Sequence, residues 1–296
     1  MNKYQNDVEL FKSLCKMNKK QLQYFLYKTL KSYKYKKIKN ESMYLIAEGN
    51  LPICLCAHMD TVFTYPPNEF FFDNEKTTLW SPTGMGADDR AGILIILKLI
   101  YMGYRPSVVF TDLEESGGKG AEKLVSDYGN CPFRNCKALI QLDRRGSDDA
   151  VYYSCANDKF EDLITSYGFV TEIGSFSDIS VLAPIWEKVA VNLSVGYMYE
   201  HTRSEYLNFE QLNETFLKVR KMLDDCWNWK EYKYKELHLN SYYDMFDWTT
   251  SGKDYCICCG EELKKDYYSY NYENITYKMC PTCYAICFSP GEDELL

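Results

Sequence analysis

The 296-residue sequence predicts an α/β fold, a three-layer α/β/α sandwich around a mixed, mostly parallel central sheet, with a small separate module at the C-terminus. Three observations carry that expectation. From residue 41 to about 229, apolar runs of strand length alternate with segments of helical periodicity, the pattern of successive βαβ units. Polar residues gather at the carboxyl ends of those apolar runs, where open α/β sheets build their sites. Beyond residue 230 the alternation fades, tyrosines become dense and paired cysteines appear. The chain thus divides into an N-terminal helical segment (1–40), a core (41–230), and a linker with a small module (231–296).

Residues 1–39 read as an amphipathic helical pair, because Leu10, Phe11, Leu14 and then Leu22, Phe25, Leu26, Leu30 recur at three- and four-residue steps. The lysine-rich stretch 31–39 reads as a solvated linker or edge. MYLIAEGN (43–50) and LPICLCAH (51–58) read as strands joined by a Gly-Asn turn, with FFFDNEKTTLW (70–80) as another strand region. Residues 87–104 form a strongly apolar helix stopped by Gly103. SVVFTDLEE (107–115) is a buried strand with a polar end, and KGAEKLVSDYG (119–129) is the helix after it. ALIQLDRRG (138–146) and VYYSCAND (151–158) follow as strands, then KFEDLITSYG (159–168) as a short helix closed by Gly168. VAVNLSVGYMY (189–199) reads as one long central strand, and 209 to about 229 as a closing helix.

Composition narrows the partners. The chain carries 34 Lys+Arg against 42 Asp+Glu, a formal charge of −8, which argues against nucleic acid as a main partner. No apolar run approaches the ~18–20 residues of a membrane span, and the N-terminal MNKYQNDVELFKSLCKMNKK is too polar for a secretory signal. The expectation is a soluble, cytoplasmic protein. Disulfides do not persist in a reducing compartment, so clustered members of the 13 cysteines read as metal ligands and isolated ones as small buried hydrophobes.

Only three histidines occur, and two stand in charged settings at strand ends. In CLCAHMDTV, His58 and Asp60 are two apart and share a face of extended chain, so the acid can orient a metal-ligating ring. In GMGADDRAGI, Asp88 and Asp89 sit where a helix begins. One aspartate suffices as a cap, which leaves a spare carboxylate. In TDLEESGGKGA, Glu114 and Glu115 repel one another unless a cation stands beside them. A divalent metal resolves this with one Glu as ligand and the other as general base. Asp143 ends IQLDRRG and His201 follows in YMYEHTRSEY. Two metals bridged by one carboxylate use the whole set.

CAHMDTV, GMGADDRAGI, DLEESGGKGA, QLD and MYEHTRSEY, in that order, resemble the core of the co-catalytic di-zinc exopeptidases, a clan that includes peptidase T, leucyl and glutamyl aminopeptidases, and related carboxypeptidases and deacylases. The resemblance covers roughly residues 43–223. It implies that His58, Asp143 and a bridging Asp88 bind one Zn2+, and that Asp88, Glu115 and His201 bind the second. It makes Glu114 the general base and acid, and Asp60 the residue that orients His58. GSFSDISVLAP resembles the clan's Gly-Thr-Asp segment beside the substrate, which adds Ser177 and Asp178 as substrate-binding candidates. Clan members often insert a lid, but here the spacings His58 to Asp88 and Asp143 to His201 are 30 and 58 residues, too short for a domain of ~100 residues. A lid-less site needs a local oxyanion donor, for which Tyr199, Tyr206 and Arg144 are candidates.

The C-terminal module contains Cys256-x-x-Cys259 and Cys280-x-x-Cys283, a pairing that suits one tetrahedral structural Zn2+ and resembles a zinc ribbon, with residues 262–278 as its β-hairpin. Such a ribbon offers a surface for a protein partner. The expected activity is zinc-dependent hydrolysis of peptide bonds, as an aminopeptidase or di/tripeptidase acting on a peptide or acylated-amine substrate. The alternatives are a carboxypeptidase or amide deacylase with the same two metals, and a zinc-ribbon binding protein on an inactive scaffold.

Overall fold

The period-two alternation of apolar side chains in the strands turns into two distinct cores, one on each face of a single sheet. The computed structural model describes residues 3–236, the segments 254–255, 262–263, 267–272 and 275–279, and residue 281. The chain forms two units, 1–236 and 237–296. In the first unit the order is α1 (Gln5–Lys16), α2 (Lys19–Ser32), β1 (Lys36–Asn40), β2 (Tyr44–Glu48), β3 (Ile53–His58), β4 (Phe71–Phe72), β5 (Thr78–Trp80) and α3 (Ala87–Tyr101). There follow β6 (Ser107–Thr111), α4 (Lys119–Asp127), β7 (Ala138–Arg144), β8 (Asp149–Val151), α5 (Asp158–Thr165) and β9 (Val170–Glu172). The unit ends with α6 (Asp178–Trp186), β10 (Val189–Ser194), β11 (Tyr197–Met198), β12 (Tyr206–Asn208) and α7 (Phe209–Asp225).

Eight strands form the main sheet in the order β1-β2-β6-β3-β7-β10-β8-β9, and its centre, β6-β3-β7-β10, is parallel throughout. Leu55, Ala57, Phe110, Ile140 and Val191 face one core, which α1, α2, α3, α5 and α7 complete through Phe11, Leu26, Ile96, Phe160 and Val219. Their neighbours Cys54, Cys56, Val109, Leu139 and Ala190 face the other core, closed by Leu124 of α4 and Ile179, Leu182 and Trp186 of α6. The helices that follow the strands thus lie on both faces, as parallel sheets require. A second sheet, β11-β12-β5-β4, is antiparallel and small. In the second unit β13 (Asp254–Tyr255) pairs with β14 (Glu262–Leu263), and β15 (Tyr268–Tyr272) forms a hairpin with β16 (Ile275–Met279).

The lysine-rich stretch 31–39 runs into β1, the edge strand of the main sheet, as the edge reading expects, and pairing with β2 supplies its hydrogen bonds. Several other elements differ from the sequence expectation. The segments joined by the Gly-Asn turn do not pair with each other, since β6 lies between β2 and β3. VAVNLSVGYMY is two strands in two sheets. Gly196 breaks it at φ 93°, where a side chain would meet the Asn208 carbonyl oxygen at 2.8 Å. VYYSCAND contributes only Val151 to a strand, and 178–186, read for its resemblance to a substrate-side segment, is a helix. Gly92 in α3 sits where a side chain has no room. A Cβ there would lie 1.9 Å from the Leu142 carbonyl oxygen of β7 and 2.5 Å from Asp89 Oδ1. Gly92→Ala is therefore expected to cost about 1–3 kcal/mol, read as a lower urea midpoint of the chelator-treated protein. An unaltered midpoint contradicts this close seating of α3 on β7.

Candidate metal centre

Because β6, β3, β7 and β10 run parallel, the loops leaving their carboxyl ends meet on one edge of the sheet. His58 is the last residue of β3 and pairs in register with Thr111, the last of β6. Cys56 is level with Gln141, which brings Asp143 on β7 level with His58. His201 lies between β11 and β12, and Asp88 enters from the first turn of α3.

Asp88 stands at the centre. Its Oδ1 is 2.8 Å from His58 Nε2, and its Oδ2 is 3.1 Å from His201 Nε2. His58 Nε2 is also 3.4 Å from Asp143 Oδ1, while His201 Nε2 is 2.8 Å from Glu115 Oε2. Two donor groups result, His58–Asp88–Asp143 and Asp88–Glu115–His201, and in each the candidate ligand atoms lie within 4.8 Å of one another.

Neighbouring side chains hold these donors in place. Asp60 Oδ1 lies 3.3 Å from His58 Nδ1, and the two oxygens of the same carboxylate accept from the backbone N–H groups of Glu114 and Glu115, each at 3.2 Å. Asp60 therefore ties the end of β3 to the Glu114–Glu115 loop. Asp89 does the capping, accepting from Gly92 N–H at 2.9 Å and from His58 N–H at 3.1 Å, which leaves Asp88 for the site. The Tyr197 hydroxyl donates to Asp143 Oδ1 and Gln141 Nε2 donates to Oδ2, both at 3.2 Å. Buried Glu205 accepts from Met85 N–H at 3.0 Å and Asp88 N–H at 3.3 Å. Buried Arg90 donates to the carbonyl oxygens of Met59 and Asp60.

The electrostatics of this cluster call for positive charge. Burial, with the Asp143, Asp88 and Glu115 carboxylates nearby, pushes the Glu114 carboxyl up to about 8 against the opposing pull of His58. Burial and Asp88 likewise push Asp143 up to about 7. Hydrogen bonds to Asp88 and Glu115 raise His201 to about 10 against the opposing effect of its burial. Burial disfavours a charged His58, but Asp143, Asp60 and Asp88 outweigh it and hold the ring well above its ordinary value. Burial also opposes ionisation of Asp88, yet His201 and His58 keep its carboxyl far below the usual range. Glu115 Oε1 is buried without a hydrogen-bond partner. Imidazole nitrogens, carboxylate oxygens and an orphaned acceptor form a set that divalent cations such as zinc satisfy, so the residues fit the implied metals. Leu113, Tyr199 and His201 adopt left-handed backbone at φ 59°, 56° and 62°. Such uncommon conformations beside the donors are characteristic of functional sites.

The structure gathers His58, Asp60, Asp88, Glu114, Glu115, Asp143 and His201 at one place. A recess of about 140 Å³ opens there, lined by Asp88, Glu114, Asp143, Arg144, Tyr197 and His201 among others. The remaining candidates fall differently. Tyr199 does not line the recess; it is largely exposed, with its ring against Tyr206 at 5.8 Å, and Tyr197 takes the inward position. Ser177 and Asp178 are buried behind the lining residues Ser175 and Phe176, and the Asp178 carboxylate accepts from the Thr111 hydroxyl. Burial and Glu114 push Asp178 up to about 7. Cys256, Cys259, Cys280 and Cys283 lie outside the described residues. Glu205, Tyr197 and Arg90 were not singled out in the sequence. Only Arg90 left a signal there, as a charge at the start of an otherwise apolar helix.

Residues 44–175 match the model of Peptidase family M28. The matched segment carries His58, Asp88, Glu115 and Asp143, and His201 lies beyond it. Comparison with curated proteins gives no match. Among solved structures, the chain is similar to a tripeptidase from Staphylococcus aureus subsp. aureus mu50, with a TM-score of 0.62, 14% identity, and coverage of 76% of this chain and 99% of that one. It is similar to aminopeptidase PepT from Bacillus cereus ATCC 10987, with a TM-score of 0.59, 15% identity, and coverage of 75% and 98%. A glutaminyl cyclase from Tannerella forsythia shares the fold at a TM-score of 0.54, 13% identity, and coverage of 76% and 98%. The fold alone therefore does not select the chemistry.

Glu205→Ala removes the acceptor of two buried amides next to the central carboxylate. It is expected to weaken metal binding about 10–100-fold, the usual consequence of losing a group that orients a ligand, as measured by competition with a chelating indicator. Wild-type affinity in this variant means that Glu205 does not position Asp88.

Proposed function

We propose that the chain is an exopeptidase, an aminopeptidase or di/tripeptidase, using two divalent ions, zinc in the first instance. His58, Asp88 and Asp143 hold one, and Asp88, Glu115 and His201 hold the other. The single observation that carries this reading is the divided carboxylate of Asp88, with one oxygen toward each histidine. The family match and the fold shared with a tripeptidase and an aminopeptidase support it.

When bound, such ions polarise a scissile carbonyl and acidify a water molecule. The chain's own groups do the rest. Glu114 lines the recess, belongs to neither donor group, and has a carboxyl held near neutrality. It accepts the proton at its carboxylate and returns it to the leaving amine. Asp60 fixes Glu114 relative to His58, because one carboxylate contacts both segments. Arg144 lines the recess and supplies a donor toward the developing oxyanion, while the Tyr197 hydroxyl is committed to Asp143. Residues between Asp143 and His201 line part of the recess and add strands and helices to the same unit, and those between His58 and Asp88 form the β4–β5 hairpin. The proposal also includes a cytoplasmic setting and a structural zinc on Cys256, Cys259, Cys280 and Cys283, supported by their paired spacing in the sequence.

Glu114→Gln keeps the shape of the side chain but cannot take a proton. Metal content should stay at the wild-type level while kcat on unblocked di- and tripeptides falls about 10²–10⁴-fold. Parallel loss of metal and turnover makes Glu114 a ligand instead of a base.

A further inference from the structure

The small sheet carries apolar side chains on both faces, those on the outer face standing beside the hydrogen-bonded Thr78–Asn208 pair, and only the inner face is accounted for by the core. Phe72, Leu79, Leu207 and Tyr197 lie opposite one another across the four strands and face inward, with Leu79, Leu207 and Tyr197 buried. The adjacent row consists of Phe71, Trp80, Tyr206 and Met198, again directly opposite one another, so all four project from the outer face. An antiparallel sheet with one buried face ordinarily turns polar residues outward. Here Phe71 is 42% and Trp80 41% exposed, their rings 5.2 Å apart, and Tyr199, 58% exposed, extends the row by packing edge-on against Tyr206. A contiguous apolar strip of this kind marks a binding surface.

What lies on the strip is indicated by where it leads. Met198 and Tyr206 form one wall of a hollow of about 340 Å³ whose other lining residues include Arg145, Gly146, Asp148 and Gln211. Arg145 lines this hollow and the metal recess alike, and at their shared border it pairs with Glu200 at 2.9 Å. The strands that carry Met198 and Tyr206 also flank the loop that presents His201. A chain with one end in the recess can thus run through the hollow and onto the strip without leaving the surface. Rigid aromatic rings bury large area at little cost in side-chain entropy and suit this role.

We propose that Met198, Tyr206, Trp80 and Phe71 form a platform for the apolar side chains of a peptide substrate whose scissile end lies in the metal recess. This rests on the peptidase reading above and narrows it to peptides that continue beyond two residues and carry apolar or aromatic side chains there.

The test is calorimetric titration of metal-loaded Glu114→Gln protein, which separates binding from turnover. The probes are a dipeptide, a hexapeptide with Phe and Leu after its first residue, and a hexapeptide with Ser and Gly in those places. The apolar hexapeptide should bind about tenfold more tightly than the polar one, as burial of one exposed aromatic side chain allows. Adding Trp80→Ser should abolish that difference, and Trp80→Phe should restore most of it. Equal affinity for the two hexapeptides, or an equal loss for all three probes in Trp80→Ser, overturns the platform. A wild-type dimer in sedimentation that Trp80→Ser disperses also overturns it, because the strip is then a contact between copies. Turnover of dipeptides by the wild-type protein tests the peptidase reading separately. If dipeptides are cut and the apolar preference is missing, only the platform falls; if the preference is present and no peptide is cut, the peptidase reading falls and the strip stands as a peptide-binding surface without a substrate role.

Discussion

Negative charge crowds one edge of the main sheet, and the surrounding residues are arranged about it. Asp60, Asp88, Glu114, Glu115 and Asp143 converge on two imidazoles in a largely buried setting, where like charges are costly and water screens them poorly. The raised carboxyls of Glu114 and Asp143 and the raised imidazole of His201 are the signature of a site short of positive charge. The parallel strands bring the segments that carry these residues to one edge of the sheet. Asp89, Glu205, Arg90 and Tyr197 then lock the backbone and carboxylates around them.

The arrangement separates two roles that look identical in sequence. Asp88 and Asp89 are neighbours of the same type, yet one faces two histidines and the other caps a helix and receives the His58 amide. Glu114 and Glu115 divide in the same way: Glu115 contacts His201, whereas Glu114 lines the recess outside both donor groups. Asp60 accepts from both of their amides, so one carboxylate positions the two neighbouring glutamates.

Much of the fold was legible because burial on both faces leaves a continuous apolar run, and β3, β6 and β7 are such runs. The donors were legible because each follows such a run, or opens the helix after one, in a chain with few histidines. What escaped depends on geometry that spacing does not carry. One continuous apolar segment, VAVNLSVGYMY, serves two sheets because Gly196 turns the backbone between them. Pattern marked FFFDNEKTTLW as strand but not as half of a second sheet. Glu205 acts through backbone amides 117 to 120 positions away in sequence, and Tyr197, rather than Tyr199, faces inward because it shares a row with Leu207 and Leu79. That second sheet links core to site: its inner row completes the packing, and its β11–β12 hairpin carries His201.

The most direct measurement is the number of metal equivalents retained per chain by the wild-type protein and by Asp88→Ala, each loaded under identical conditions and confirmed folded by circular dichroism. A carboxylate shared between two cations predicts that the single substitution removes both, a difference of two equivalents, with any metal on the C-terminal cysteines retained in each. A difference of one equivalent or none contradicts a bridging Asp88 and the two-metal centre built on it.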